Sequence, residues 1–219
     1  MLDEQLIAEA KVPGLRPTQQ QRSRELVVRL VNEGLALLDD HDFDTLSVEA
    51  LCARCSATVG SFYARFDSKD AFIEALQQLV VEDRRRDLAA RYASERMPRD
   101  DLPRLIDWIS KGAVIWYQRY RGLIRASLRR AGNDRGSWTP MRDLGRMQVD
   151  HALPIIVALV GGEPTPELEQ RIRFAFQLLY GTLNNMILID PGPLTLQDAA
   201  TPRLLATAML RLIDPARTT

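Results

Sequence analysis

The chain has 219 residues, with 29 Lys plus Arg against 29 Asp plus Glu, so its formal net charge is zero. Hydrophobic residues make up 46% and charged residues 26%, which excludes wholesale disorder and allows one large or two small domains with a real core. Zero net charge gives nucleic-acid binding no bulk electrostatic support, so that reading must rest on local placement.

No apolar run is long enough to cross a bilayer, and the first residues lack the pattern of a signal peptide. A cytoplasmic protein without membrane association is therefore expected, with Cys52 and Cys55 kept reduced. Residues 1–17 read as a loose lead-in, punctuated by Pro13, Gly14 and Pro17. Thr18 is a candidate cap for a first long helix, along which Val27, Leu30, Val31, Gly34, Leu37 and Leu38 define one buried face. Asp39-Asp40-His41-Asp42 ends that helix, and Phe43 and Leu46 bracket the next junction.

Residues 46–72 hold the most informative pattern. Ser47 stands where an N-cap belongs, and Val48, Leu51 and Cys52 recur at helical spacing. Cys55-Ser56-Ala57 breaks the helix, and Thr58 caps the next, whose aromatic face is Phe62, Tyr63 and Phe66. Ser68 caps a third helix carrying Phe72, Ile73, Leu76, Leu79 and Val80. Two short helices around a tight turn form a helix-turn-helix, whose second helix can enter a DNA major groove.

Further helices are expected from about 105 to 120, 123 to 130, 138 to 160, 166 to 189 and from Gln197 or Thr201 to 213, with a loop at 132–136. Nothing alternates as a strand would, so the fold class is all-α. No Gly-rich phosphate loop, Ser/His/Asp grouping or paired carboxylates appear, so neither an enzyme nor a cofactor is expected. Cys52 and Cys55 have C-x-x-C spacing without further ligands, which favours buried small apolar residues over a metal site.

In order and in residues, the stretch 18–72 resembles the TetR family of bacterial transcription regulators. Cys55-Ser56-Ala57-Thr58, then Gly60, Tyr63, Phe66 and Lys69, occupy the positions of that family's motif. Ser56 stands where the family prefers glycine, and Arg65 where histidine is common. The resemblance implies a homodimer with an N-terminal three-helix helix-turn-helix DNA-binding domain (18–67) and a C-terminal helical ligand-binding and dimerisation domain (68–219).

On that reading Gly60 lets the backbone approach DNA closely, Val59 and Ala64 meet thymine methyls, and Thr58, Ser61, Tyr63 and Lys69 hold phosphates, with Arg65 as an added phosphate contact and Ser47 completing the DNA-binding set. The competing reading is an ordinary helical hairpin whose hydroxyls only cap helices. Trp108, Trp116, Tyr120, Met147, His151, Phe174 and Leu178 are the candidate lining for a small, mostly apolar effector, against a plain-core alternative. Ile172, Leu179, Leu183, Leu204, Leu205, Ala208 and Leu212 are the candidate dimer seam, with a palindromic operator as the consequence. Arg121, Arg125 and Arg129 align at i, i+4, i+8 as a solvated face, an attraction for DNA, or an anion site. The expected function is a ligand-responsive transcriptional repressor. The alternative is a helical ligand-binding or protein-interaction module whose helix-turn-helix no longer binds DNA.

Overall fold

The computed structural model describes residues 2, 4–9, 12–13, 15–16, 21–40, 45–161 and 164–218. The cap expected at Thr18 and the turn at His41, Asp42 and Phe43 lie outside the described residues. Among the described residues ten α-helices run in the order α1 (Glu4–Glu9), α2 (Gln21–Asp40), α3 (Val48–Arg54), α4 (Val59–Tyr63), α5 (Lys69–Ala93), α6 (Leu102–Arg119), α7 (Arg121–Asn133), α8 (Thr139–Val160), α9 (Pro166–Leu188) and α10 (Thr201–Ile213). No strand forms among the described residues; Leu15 and Phe66 make an isolated antiparallel bridge.

The chain divides into two compact units, Met1–Arg86 with Tyr120–Met141, and Asp87–Arg119 with Arg142–Thr219. The first unit is built on the apolar face of α2, where Leu30, Val31 and Leu38 are fully buried together with Leu51, Phe72, Ile73 and Leu76. Phe62, Phe66 and Phe72 meet at its centre, with ring centroids 4.8–5.3 Å apart in tilted or edge-on geometry. The segment before α2, expected to be loose, instead buries Leu2, Leu6, Ile7 and Val12. Its apolar stripe is a single turn long, too short for periodicity to reveal.

Helix α7 belongs to this unit and packs against α2. Arg121 and Arg125 donate to the carbonyls of Asp39 and Leu38, and the Gly122 N–H donates to the Asp39 carboxylate at 3.2 Å. The arginine row is therefore in part a cap on the carbonyl end of α2, where the helix dipole favours positive charge. Arg130 donates to the Asp70 carbonyl at 2.8 Å, near the start of α5.

In the second unit α10 packs against α6 and α9. Thr165 caps α9 by accepting from the Leu168 N–H, with Pro166 in the first turn, where its missing N–H costs nothing. One face of α9, Ile172, Ala175, Phe176, Leu179 and Leu183, is fully buried within the chain and meets Leu205, Met209 and Ile213 of α10 in one core. Burial raises the pKa of the Tyr117 phenol, which stays a donor to Asn184 Oδ1 at 3.0 Å.

Candidate nucleic-acid interface

Helix α3 starts where Ser47 accepts from the Ala50 N–H, and it ends in a Schellman turn. The Ala57 N–H reaches the Cys52 carbonyl at 2.9 Å, the Ser56 N–H reaches Ala53 at 3.2 Å, and Ser56 sits at φ 51°. A left-handed serine therefore makes the turn at the position where the resemblance implies glycine. Thr58 then caps α4 with a reciprocal box: its Oγ accepts from the Ser61 N–H, and Ser61 Oγ accepts from the Thr58 N–H.

Phe62 anchors α4 in the core with no exposed surface, which fixes the opposite face outward. On that face lie Thr58, Gly60 and Ala64, all exposed, and Tyr63, 46% exposed, with Val59 and Ser61 half-buried beside them. A Cβ on Gly60 would meet nothing nearer than Thr58 Oγ at 3.9 Å, so no packing within the chain calls for a glycine there. The bare backbone leaves room for a second molecule to approach. Ser47 is exposed at the N-terminus of α3, and its hydroxyl donates to Glu49 at 2.7 Å, which lowers the Glu49 pKa.

Two expected phosphate ligands are engaged within the head. The Arg65 guanidinium bonds the buried Ser23 hydroxyl of α2, a partner that sequence reasoning missed because it lies 42 residues away. The Lys69 ammonium donates to the Leu46 carbonyl at 3.2 Å. The Arg65 bond ties the end of α4 to α2, and the Lys69 bond ties the start of α5 to the residues that lead into α3. The Ser61 hydroxyl likewise donates to the Thr58 carbonyl at 2.6 Å, so it acts first as part of the cap.

Cys52 and Cys55 are free and buried, and desolvation raises both thiol pKa values. No group of three His, Cys, Asp or Glu able to hold a metal occurs among the described residues.

In the second unit, Trp108 stands edge-on to Tyr92 with ring centroids 5.7 Å apart, and the Arg91 guanidinium lies 5.2 Å from the Trp108 ring. His151 is 5.6 Å from the same tyrosine and donates its Nδ1–H to the Met147 carbonyl at 2.8 Å. Tyr92 thus gathers Trp108 and His151, with Met147 one turn away on α8. Trp116 packs on Tyr117, Leu178 is half-buried and Phe174 is 52% exposed. Tyr120 is buried in the first unit. Of the expected seam, Ile172, Leu179 and Leu183 are fully buried in the chain's own core and Leu205 nearly so, whereas Leu204 is 44% exposed and Ala208 and Leu212 are half-buried. A side chain without accessible surface has none left for a partner, and this corrects the seam at those positions.

An all-α chain with a capped helix-turn-helix, its second helix turned outward, has the architecture of a DNA-binding regulator. Residues 30–76 match the model for bacterial regulatory proteins of the tetR family. The chain is similar to a tetR-family transcriptional regulator from Streptomyces coelicolor, with TM-score 0.61, 18% identity, and coverage of 89% of this chain and 80% of that one. It is also similar to Salmonella enterica GusR, with TM-score 0.59, 14% identity, and coverage of 90% and 97%. At these identities the structures establish the fold. No curated protein matches the sequence. The segment 30–76 is thus similar to the DNA-binding domain of tetR-family regulators, and the all-α fold is that of the solved tetR-family structures, which together support a DNA-binding transcriptional regulator.

Proposed function

We propose that this regulator docks α4 in the major groove of a palindromic operator as a homodimer and represses transcription until a small, mostly apolar effector binds. The observation that carries the docking is the outward face of α4, where Gly60 and Tyr63 lie on the surface opposite Phe62. Val59, Gly60 and Ala64 then meet base edges and thymine methyls, while Ser47, Thr58 and Tyr63 fix the register on phosphates. Lys69 joins them by releasing the Leu46 carbonyl.

The dimer forms through the second apolar face of α9 and the outer face of α10. Phe174, Leu178, Gly181, Asn185 and Leu188 recur at i, i+4, i+7, i+11 and i+14, a single stripe. Phe174 and Leu188 are substantially exposed on it, as is Leu204 on α10 beside Ala208. Apolar surface of this kind favours burial against a symmetry mate as a four-helix bundle. The effector is expected near Trp108, Met147 and His151, where aromatic faces and a few polar groups lie together. Helix α5 contributes to both units, so a ligand preferring one arrangement of the dimer can shift operator affinity through it, up to its differential affinity for the two states. The protein works in the cytoplasm, without catalysis.

Selection of duplexes from a randomised pool tests the docking. A palindromic consensus bound with a steep negative salt dependence is expected. Weak binding without sequence preference would favour instead a helical ligand-binding module, a reading that the inward engagement of Arg65 and Lys69 supports.

A further inference from the structure

The described residues of 2–16 precede the family's matched region and are folded onto the head. The Leu2 N–H donates to Asn32 Oδ1 of α2 at 3.2 Å, and Leu2, Leu6 and Ile7 are at most 5% exposed. Glu9 lies 3.6 Å from Arg86 of α5. Past Val12, which is 9% exposed, the chain reaches the segment that follows the recognition helix. There Leu15 bridges Phe66, the Arg16 N–H donates to the Arg65 carbonyl at 2.9 Å, and the Arg16 guanidinium meets the Asp67 carboxylate at 2.6 Å.

Helix α4 has five residues and cannot hold its own orientation, because isolated helices of that length are unstable. Its N-terminal end is fixed by the Thr58–Ser61 box and its middle by Phe62. Its C-terminal end is tied to the arm through backbone bonds that any side chains would allow, so sequence inspection cannot find them. We infer that the described residues of 2–16 act as a strap that orients the recognition helix, with Leu15 and Arg16 as positioning residues for DNA binding. The buried leucines and isoleucine anchor the strap, and the bond from the Arg16 N–H to the Arg65 carbonyl transmits that anchorage to α4. The exposed Arg16–Asp67 pair adds little by itself. The inference rests on α4 being the element that docks on DNA.

Two variants separate the backbone bond from the charge. Arg16→Pro removes the N–H and leaves Leu2, Leu6, Ile7 and Val12 in place; Arg16→Ala keeps the N–H and removes the guanidinium. The probe is a duplex selected by the unaltered protein from a randomised pool, with amide hydrogen exchange of the free protein as a second readout. Arg16→Pro is expected to weaken duplex binding about five- to tenfold at unchanged salt slope and to speed exchange of the Arg65 and Phe66 amides by a similar factor. Arg16→Ala is expected to stay within about twofold of the parent in both. Unchanged exchange in Arg16→Pro would overturn the strap. So would equal losses in both variants with a salt slope shallower by about one, since Arg16 would then hold a phosphate directly. If no duplex is selected, the docking reading fails, and the exchange rates alone decide whether the strap orders α4.

Discussion

A Cβ added to Gly122 would stand 2.0 Å from the carbonyl oxygen of Leu38 and 2.2 Å from its carbonyl carbon. Helix α7 therefore meets the end of α2 backbone to backbone, and Arg121 and Arg125 on either side donate to the last carbonyls of α2. Gly122 serves this close approach, although the sequence alone reads it as a break between helices.

No rotamer change can relieve a clash between two backbones, so α7 must move if Gly122 gains a side chain. Gly122→Ala is expected to lower unfolding free energy by about 1–3 kcal/mol, read from the urea midpoint. Gly132→Ala is the control, since its Cβ would meet nothing within 4 Å and alanine favours the helix. Equal midpoints for the two variants would refute the contact.

Ser56 makes the α3–α4 turn at φ 51°, a region that disfavours side chains with a Cβ. Ser56→Gly keeps both bonds of the Schellman turn, so it is expected to raise stability by about 0.5–1 kcal/mol. Thermal unfolding checks this; a lower Tm would mean that the serine side chain supports the turn.

What was legible before the structure follows from the range of each signal. Ser47, Thr58 and the interrupted apolar pattern are local, and helix, turn and helix follow from them. The face that α9 turns inward depends on partners elsewhere in the chain. The sequence of α9 carries apolar residues on more than one face, and nothing local says that Ile172, Leu179 and Leu183 take the inner one. Arg121 and Arg125 were visible as a row, but their acceptors on α2 lie more than eighty positions earlier. Leu2, Leu6 and Ile7 give no helical signal in the sequence, because one turn is too short to show a period.

The two faces of α9 give distinct outcomes on substitution. Ile172→Ala opens a cavity in the chain's own core and is expected to cost about 2–5 kcal/mol in unfolding free energy. Phe174→Asp combined with Leu204→Asp alters exposed positions and is expected to leave the fold intact while abolishing the proposed dimer. Light scattering and denaturant unfolding measure the two effects. A dimer that survives the double substitution would remove α9 and α10 from the seam.

Desolvation holds the thiols of Cys52 and Cys55 above the ordinary cysteine range, which disfavours the reactive thiolate at neutral pH. Alkylation of the native protein is expected to be far slower than after unfolding and to accelerate only at alkaline pH, as the thiolate forms. Mild peroxide should leave DNA binding unchanged. Rapid labelling at pH 7 would point instead to a redox-sensitive pair.

Tyr63 and Arg65 lie two residues apart and do different work. Tyr63 is 46% exposed on the outward face, and a neutral phenol releases no counterion, so Tyr63→Ala is expected to weaken binding to all duplexes alike at constant salt slope. The Arg65 guanidinium is bonded to the buried Ser23 hydroxyl, so Arg65→Ala should lower head stability by about 1 kcal/mol and leave the salt slope unchanged. Salt titrations of duplex binding beside urea unfolding decide the matter. A slope shallower by about one in Arg65→Ala, at unchanged stability, would show that the guanidinium leaves Ser23 for a phosphate when DNA binds.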